Sequence, residues 1–318
     1  MVKLSVIMPV FNGEDYLAES IECILNQSLD DLELICVDDG SVDDSLKILR
    51  DFEAKDERVH VYHQENRGGG AARNLALKYA CGEYLYFMDA DDMLKDGALE
   101  KLYDLCSQKE LDFVIFKAIN YDEDTDQYYE TPDYSMAKIA EFSKGNVFSF
   151  EDLGKLIFNI TVTPWSKFYN LDFVKSTGAQ FAEGLIFHDN VFFWEVLFNA
   201  KRMYFLDEFI YIRRRHSTSS TGAGDKRYAN IITIINMNVS LFFKYNQFEK
   251  FKEILYNKKI LWIYMRYEKI QLKYRQFFFD EMKKDFSKML GHERYGEFIN
   301  SLDTSRSEER RVGKECRS

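Results

Sequence analysis

One short stretch, Gly82 to Asp92, constrains this 318-residue chain more than any other. Tyr84 to Met88 are aromatic or aliphatic without interruption, and Asp89, Asp91 and Asp92 follow at once. Five such residues between a glycine and an acidic cluster predict a buried strand of a parallel sheet. In open α/β sheets, ligands bind at the carboxyl ends of the strands. Three carboxylates at that edge repel one another unless a cation or hydrogen-bond donors compensate them. Hard divalent cations take oxygen ligands, and Mg²⁺ is often held by one or two carboxylates together with substrate phosphates. The stretch points to a metal-assisted site for a phosphorylated ligand. The competing reading is that Asp91 or Asp92 caps a helix running from about Asp96 to Gln108.

The neighbouring sequence repeats the pattern. Leu4 to Phe11 is an apolar strand broken by Asn12-Gly13, and Glu14 to Gln27 carries apolar residues at helical spacing. Leu32 to Val37 is a second strand, ending in Asp38-Asp39-Gly40-Ser41. A helix with Leu46, Leu49 and Phe52 follows, then a short strand, Val59 to Tyr62. The glycine-rich run Asn66 to Asn74 leads into a further helix before the strand at Tyr84. Such β-α alternation predicts a parallel sheet with right-handed crossovers. Asp38/Asp39 and Asp89/Asp91 then lie at one edge. Asp39 can accept a hydrogen bond from a base N–H or a ribose hydroxyl. Gly68 to Gly70 let backbone N–H groups approach an anion at a helix start, or form a plain turn. No Gly-Lys-Ser/Thr follows these glycines, and no GxGxxG follows the first strand, so neither a P-loop nor a dinucleotide fingerprint is present.

Taken together, Ser5 to Asn12, Ile24 to Gln27, Val37 to Ser41, Asn66 to Asn74 and Met88 to Asp92 resemble, in order and spacing, family 2 glycosyltransferases of the GT-A fold. The resemblance covers residues 3 to about 105. It implies an α/β fold with a Rossmann-like, mostly parallel central sheet flanked by helices and followed by a helical extension. It implies an inverting enzyme that uses a nucleotide-sugar donor, most often a UDP-sugar, with Mn²⁺ or Mg²⁺. Pro9, Val10, Phe11 and Asp39 would line the nucleoside pocket. Asp91 would be the principal metal ligand, with Asp89 beside it near the ribose or metal. Arg73 would lie near the donor, or else pair with aspartates of the same edge.

Further along, Thr163-Pro-Trp-Ser-Lys-Phe168 resembles the family's tryptophan–lysine element. Trp165 is then an acceptor-side sugar platform or core, and Lys167 faces the site. Ala182 to Phe193 contains His188-Asp189 where similar enzymes carry Glu-Asp, and the resemblance makes Asp189 the catalytic base. The alternative for Asp189 is a helix N-cap. His188 either tunes Asp189 or packs against Phe187. Phe209 to Arg213 reads as a strand, and the resemblance makes the Arg214-to-Gly224 stretch after it a loop that closes over the donor. Arg213 and Arg215 would bind the diphosphate in a bidentate manner, and His216 would be a further metal ligand, or all three would belong to a basic surface turn.

Charge divides the chain. Residues 1–225 hold 22 Lys+Arg against 41 Asp+Glu, net −19, while residues 226–305 hold 15 against 9, net +6. An acidic front half argues against nucleic acid as partner. The expected organisation is a glycosyltransferase domain over 1–225, with a nucleotide-sugar half (1–105) and an acceptor half (106–225), and a helical region over 226–305. That aromatic, basic region packs on the catalytic domain or rests on an anionic membrane surface, where a saccharide or lipid-linked saccharide acceptor would lie. Residues 306–318 resemble a translated sequencing adapter and are expected to be non-native. Five cysteines without metal spacing, no leader and no long apolar run suggest a cytoplasmic protein, peripheral at most to the inner face of the membrane. The rival functions are a non-catalytic nucleotide-sugar-binding subunit of a glycan assembly complex and a sugar nucleotidyltransferase. The latter needs a Gly-rich loop with Arg or Lys after the first strand, which Pro9 to Gly13 does not provide.

Overall fold

The computed structural model describes residues 2–216 and 224–290. The end of the helical region (291–305), the tail 306–318 and most of the expected closing loop (217–223) lie outside the described residues. The chain divides into two compact units. The first holds residues 2–184 and 192–216; the second holds 185–191 and 224–290.

The first unit is built on a nine-stranded sheet. Its strands are β1 (Leu4–Val10), β2 (Leu32–Asp38), β3 (Val59–His63), β4 (Tyr84–Phe87), β5 (Met93–Leu94), β6 (Phe113–Asp122), β7 (Gln127–Tyr129), β8 (Lys167–Asn170) and β9 (Met203–Arg215). Their order is β3-β2-β1-β4-β8-β6-β9-β5, with β7 paired to β6 as a hairpin. The first four strands are parallel, as the alternating pattern requires, because α1 (Leu17–Leu25), α2 (Ser45–Glu53) and α3 (Gly69–Leu77) form the crossovers. Every residue of β2 and β4 is buried, and apart from Glu33, which accepts from Ser5, and the terminal Asp38 they are apolar or aromatic on both faces. Beyond β4 the sheet is mixed: β8 runs antiparallel to both β4 and β6, while β9 runs parallel to β6.

Registry places the acidic segments at one edge. Val10 lies opposite Asp38, and Ile7 opposite Phe87, so the chain leaves β1, β2 and β4 on the same side. At the other end of these strands the backbones are crowded. A Cβ on Gly82 would sit 2.6 Å from the Ser5 nitrogen and 2.8 Å from the Leu4 carbonyl carbon. The Gly82 N–H donates to Ser5 Oγ, which in turn donates to the buried Glu33. Gly82→Ala is therefore expected to destabilise the fold by about 1–3 kcal/mol, the usual cost of overpacking. A lower urea midpoint with an unchanged slope is the check.

Helix α4 (Ala98–Lys109) starts two residues later than the sequence suggests, and neither Asp91 nor Asp92 caps it. Gly97, in the left-handed conformation, is its N-cap residue and makes no side-chain cap bond. Four short helices follow, α5 (Pro132–Ser135), α6 (Ala137–Ser143), α7 (Phe150–Leu153) and α8 (Leu171–Thr177), and then α9 (Asp189–Asn199).

In the second unit, α10 (Asn230–Lys244), α11 (Phe248–Lys269) and α12 (Arg275–Leu290) are joined by a partly buried polar knot. Lys259 pairs with Asp285, and Asn236 bonds both. Burial lowers the Lys259 pKa, and the Asp285 carboxylate opposes that shift. No described helix is long and apolar enough to cross a membrane.

Candidate active site

The site grows from the ends of β2 and β4. Asp39 follows β2, and its N–H donates to the Val10 carbonyl. Its carboxylate is almost fully buried and already engaged. Oδ1 accepts from Gln64 Nε2 at 2.7 Å and the Arg67 N–H at 2.8 Å, and Oδ2 accepts from the Gly68 N–H at 2.7 Å. Asp39 thus ties the glycine-rich loop to the sheet edge. Gly40 makes that possible: a Cβ there would lie 2.8 Å from the Asn66 nitrogen, and its φ is +76°. Of the expected nucleoside-pocket residues, Phe11 is half exposed and Pro9 partly so. The Val10 side chain faces the core, leaving only its backbone at the edge.

The three aspartates after β4 converge, with one carboxylate oxygen from each lying within 4.8 Å of the others. They are not equivalent. Asp89 and Asp91 keep about a third of their side-chain surface exposed, whereas Asp92 is buried. Asp92 accepts from the Tyr211 hydroxyl and, at 2.7 Å, from the Arg214 N–H. Burial and the neighbouring Asp91 and Asp89 carboxylates push its pKa well above the usual range. Asp89 is paired with Arg73, whose guanidinium is buried and lies 5.6 Å from the Phe181 ring. The ion pair expected of Arg73 with an aspartate of this edge is thus present, and it places the guanidinium beside the cluster.

His216 joins the cluster from 125 residues away, with Nε2 2.9 Å from Asp91 Oδ2 and its ring 4.6 Å from that of Tyr16. The cause is a two-residue strand. β5 follows Asp92 directly and pairs antiparallel with β9, Met93 against Ile212 and Leu94 against Tyr211. That pairing brings the end of β9 alongside the aspartates. Two register shifts in β9 opposite Phe116–Ala118 re-aim the strand before it arrives.

Arg213 and Arg215 are half-exposed on this strand, and the Arg213 guanidinium lies 5.7 Å from the Tyr134 ring. Arg214, between them, is buried and makes the structural contacts. Its Nε donates to the Asp91 carbonyl at 3.1 Å, and its terminal nitrogens pair with Glu19 and Glu123. Tyr16 donates to Glu123 at 2.6 Å and lies under the Arg214 guanidinium. No motif or spacing in the sequence singles out Arg214, Tyr211, Glu19 or Glu123 for these contacts. The strand runs on through Arg215 rather than ending at Arg213, and on a strand the middle of three successive arginines faces opposite to its neighbours.

Two expected acceptor-side residues are turned inward. Trp165 is buried and stacks on Tyr211 with ring centroids 4.4 Å apart, so it is core and buttresses the tyrosine that holds Asp92. Lys167 does not face the site. It is fully buried, and its ammonium donates to the Thr161 and Thr163 carbonyls at 2.7 and 2.8 Å and to Ser166 Oγ. A buried ammonium must be satisfied locally, and these acceptors do so.

His188 and Asp189 belong to the second unit. Asp189 is the first residue of α9, and His188 Nδ1 lies 2.8 Å from Asp189 Oδ1.

Residues 5–165 match the sequence profile described as glycosyl transferase family 2. The chain belongs to that family. This family 2 glycosyltransferase is 34% identical over 228 residues to the glycosyltransferase GlyG of Streptococcus pneumoniae serotype 4, a match spanning 68% of this chain and 72% of the relative. It is 41% identical over 120 residues to the poly(ribitol-phosphate) beta-glucosyltransferase of Bacillus spizizenii, which covers 36% of this chain but only 19% of that much longer protein. Its fold is similar to that of S. aureus TarS 1-349, solved in complex with UDP-GlcNAc, with a TM-score of 0.73 at 21% identity, covering 99% of this chain and 87% of that one. The fold is GT-A, an α/β architecture with a mixed, curled sheet.

Proposed function

We propose that this chain transfers a sugar from a nucleoside diphosphate donor, a UDP-sugar, to an acceptor hydroxyl with inversion, in the synthesis of a cell-surface polysaccharide or glycolipid. The observation that carries the reading is the convergence of Asp89 and Asp91 with His216 at the exit of β4. Family membership and the named activities of the relatives support it.

The donor set fits a hard divalent cation. Two partly exposed carboxylates and an imidazole are offered, and the repulsion among three acidic groups is what a cation relieves. Asp91, Asp89 and His216 would hold Mn²⁺ or Mg²⁺, which when bound neutralises charge on the leaving diphosphate. Arg213 and Arg215 add donors for the same oxygens. Pro9, Val10, Phe11 and Asp39 form the nucleoside side, with Arg73 holding Asp89 in place. Asp189 takes the proton of the acceptor hydroxyl. As that oxygen bonds to the anomeric carbon, the bond from the same carbon to the diphosphate breaks on the opposite face, so configuration inverts once. In this reading the basic helical unit rests on anionic lipid at the cytoplasmic face, close to a saccharide or lipid-linked saccharide acceptor.

Thermal unfolding in a panel of UDP- and GDP-sugars, with and without Mn²⁺, tests the donor reading. A UDP-sugar at 100 times its dissociation constant should stabilise by about 2.7 kcal/mol, with the effect lost on chelation. Stabilisation that persists undiminished in EDTA contradicts the metal assignment, and none by any UDP-sugar contradicts the donor class.

A further inference from the structure

We infer that the helical unit sets the aim of the candidate base, with Arg266 as a positioning residue for Asp189. This rests on the reading of Asp189 as base and extends it to a part of the chain that lies beyond the family match, which ends at residue 165. Packing alone groups Leu185–Val191 with the helices rather than with the sheet.

Within that segment, Phe187 has φ +64°, a left-handed conformation that a bulky L side chain adopts only when its surroundings impose it. Those surroundings are specific. The Arg266 guanidinium lies 4.8 Å from the centre of the Phe187 ring and 6.0 Å from that of Tyr228. The Tyr228 and Phe187 rings meet edge to face at 6.1 Å. Arg266 comes from the last turn of α11, and Tyr228 from the short turn before α10. Asn230, the first residue of α10, accepts the Ile186 N–H at 3.4 Å. On the other side, the Phe187 carbonyl accepts from both the backbone and side-chain nitrogens of Asn190, at 3.2 and 3.0 Å.

The left-handed residue is thus held at its ring by α11 and the turn before α10, and at its carbonyl by the start of α9. Its φ and ψ set where His188 and Asp189 emerge. Were Phe187 to relax to an ordinary conformation, the Asp189 carboxylate would swing away from its present direction. A displacement of about 1 Å at a reacting group can cost 10²-fold in rate. Arg266 is suited to the task because a guanidinium lies flat on aromatic faces and keeps its charge when partly buried.

The test uses the full chain and four variants: Arg266→Leu, Arg266→Lys, Phe187→Leu and Asp189→Asn. UDP release from UDP-GlcNAc and from UDP-glucose with Mn²⁺ gives kcat and KM. Hydrogen–deuterium exchange reports the amides of 186–191. Arg266→Leu should lower kcat at least 10-fold with donor KM within twofold, and should speed exchange of that segment at least 10-fold without changing β1, β2 or β4. Arg266→Lys, which keeps a cation over the rings, should recover part of kcat. If Arg266→Leu does not fold, Phe187→Leu, which keeps an apolar side chain but removes the ring face, should show the same two effects. Unchanged exchange in the segment overturns the proposal whatever the activity. Wild-type kcat in Arg266→Leu beside a loss in Asp189→Asn overturns the positioning role and leaves the base standing. Wild-type kcat in Asp189→Asn removes the base, and the positioning role with it.

Discussion

Asp91→Asn is expected to lower turnover at least 10²-fold and to weaken Mn²⁺-dependent donor binding in the same variant. The substitution keeps the size of the side chain and replaces a charged ligand oxygen by a neutral amide. Asp91 is the partly exposed carboxylate that faces His216, whereas Asp92 is buried and committed to Tyr211 and Arg214. If Asp91 holds the metal as proposed, losing its carboxylate would remove stabilisation of the charge that develops on a departing diphosphate. Calorimetric titration of UDP in Mn²⁺, beside the same titration in EDTA, measures the coupling. Equal affinity in the two buffers for wild type, or an unaltered Mn²⁺ dependence in the variant, would show that Asp91 is no ligand. Stability should change little, since Asp91 is not a core residue.

Asp189→Asn should lower kcat by about 10²- to 10⁴-fold, the range of general base catalysis, while donor affinity stays within about twofold. The same variant separates base from helix terminus. Asp189 is the first residue of α9, where a negative charge next to the helix dipole is worth about 0.3–1 kcal/mol. Asparagine is as good a terminal residue as aspartate, so a purely structural Asp189 would yield a slightly less stable and fully active protein. A large kcat effect with a small change in melting temperature is the catalytic signature. The opposite pattern returns Asp189 to a capping role.

The donor-side architecture was readable because it is written locally. A parallel strand buried on both faces is a near-continuous apolar run that ends where polar residues begin, so Tyr84 to Asp92 and, despite the buried Glu33, Leu32 to Asp39 stand out. Parallel pairing then places both acidic termini at one edge. His216 was readable only as a possibility, because no spacing rule links it to Asp91. Lys167 misled for the opposite reason. A charged residue between two aromatics on a strand suggests a face toward solvent, but folding supplied two carbonyls and a hydroxyl inside the core.

The β-α order, the edge at which the acidic loops meet and the family of the chain are all legible in its residues before any fold is known. Period and composition are enough for the first two, since each follows from neighbours in the chain, whereas the family rests on the motif resemblance and the match over residues 5–165. Which aspartate is buried, the ion pairs of Arg214 with Glu19 and Glu123, and the packing of Leu185–Val191 with the helices emerge only on folding. Those outcomes depend on strand pairs such as β5 with β9, which join residues more than a hundred positions apart. Such pairings are set by the competition of whole surfaces for burial, which no local pattern records.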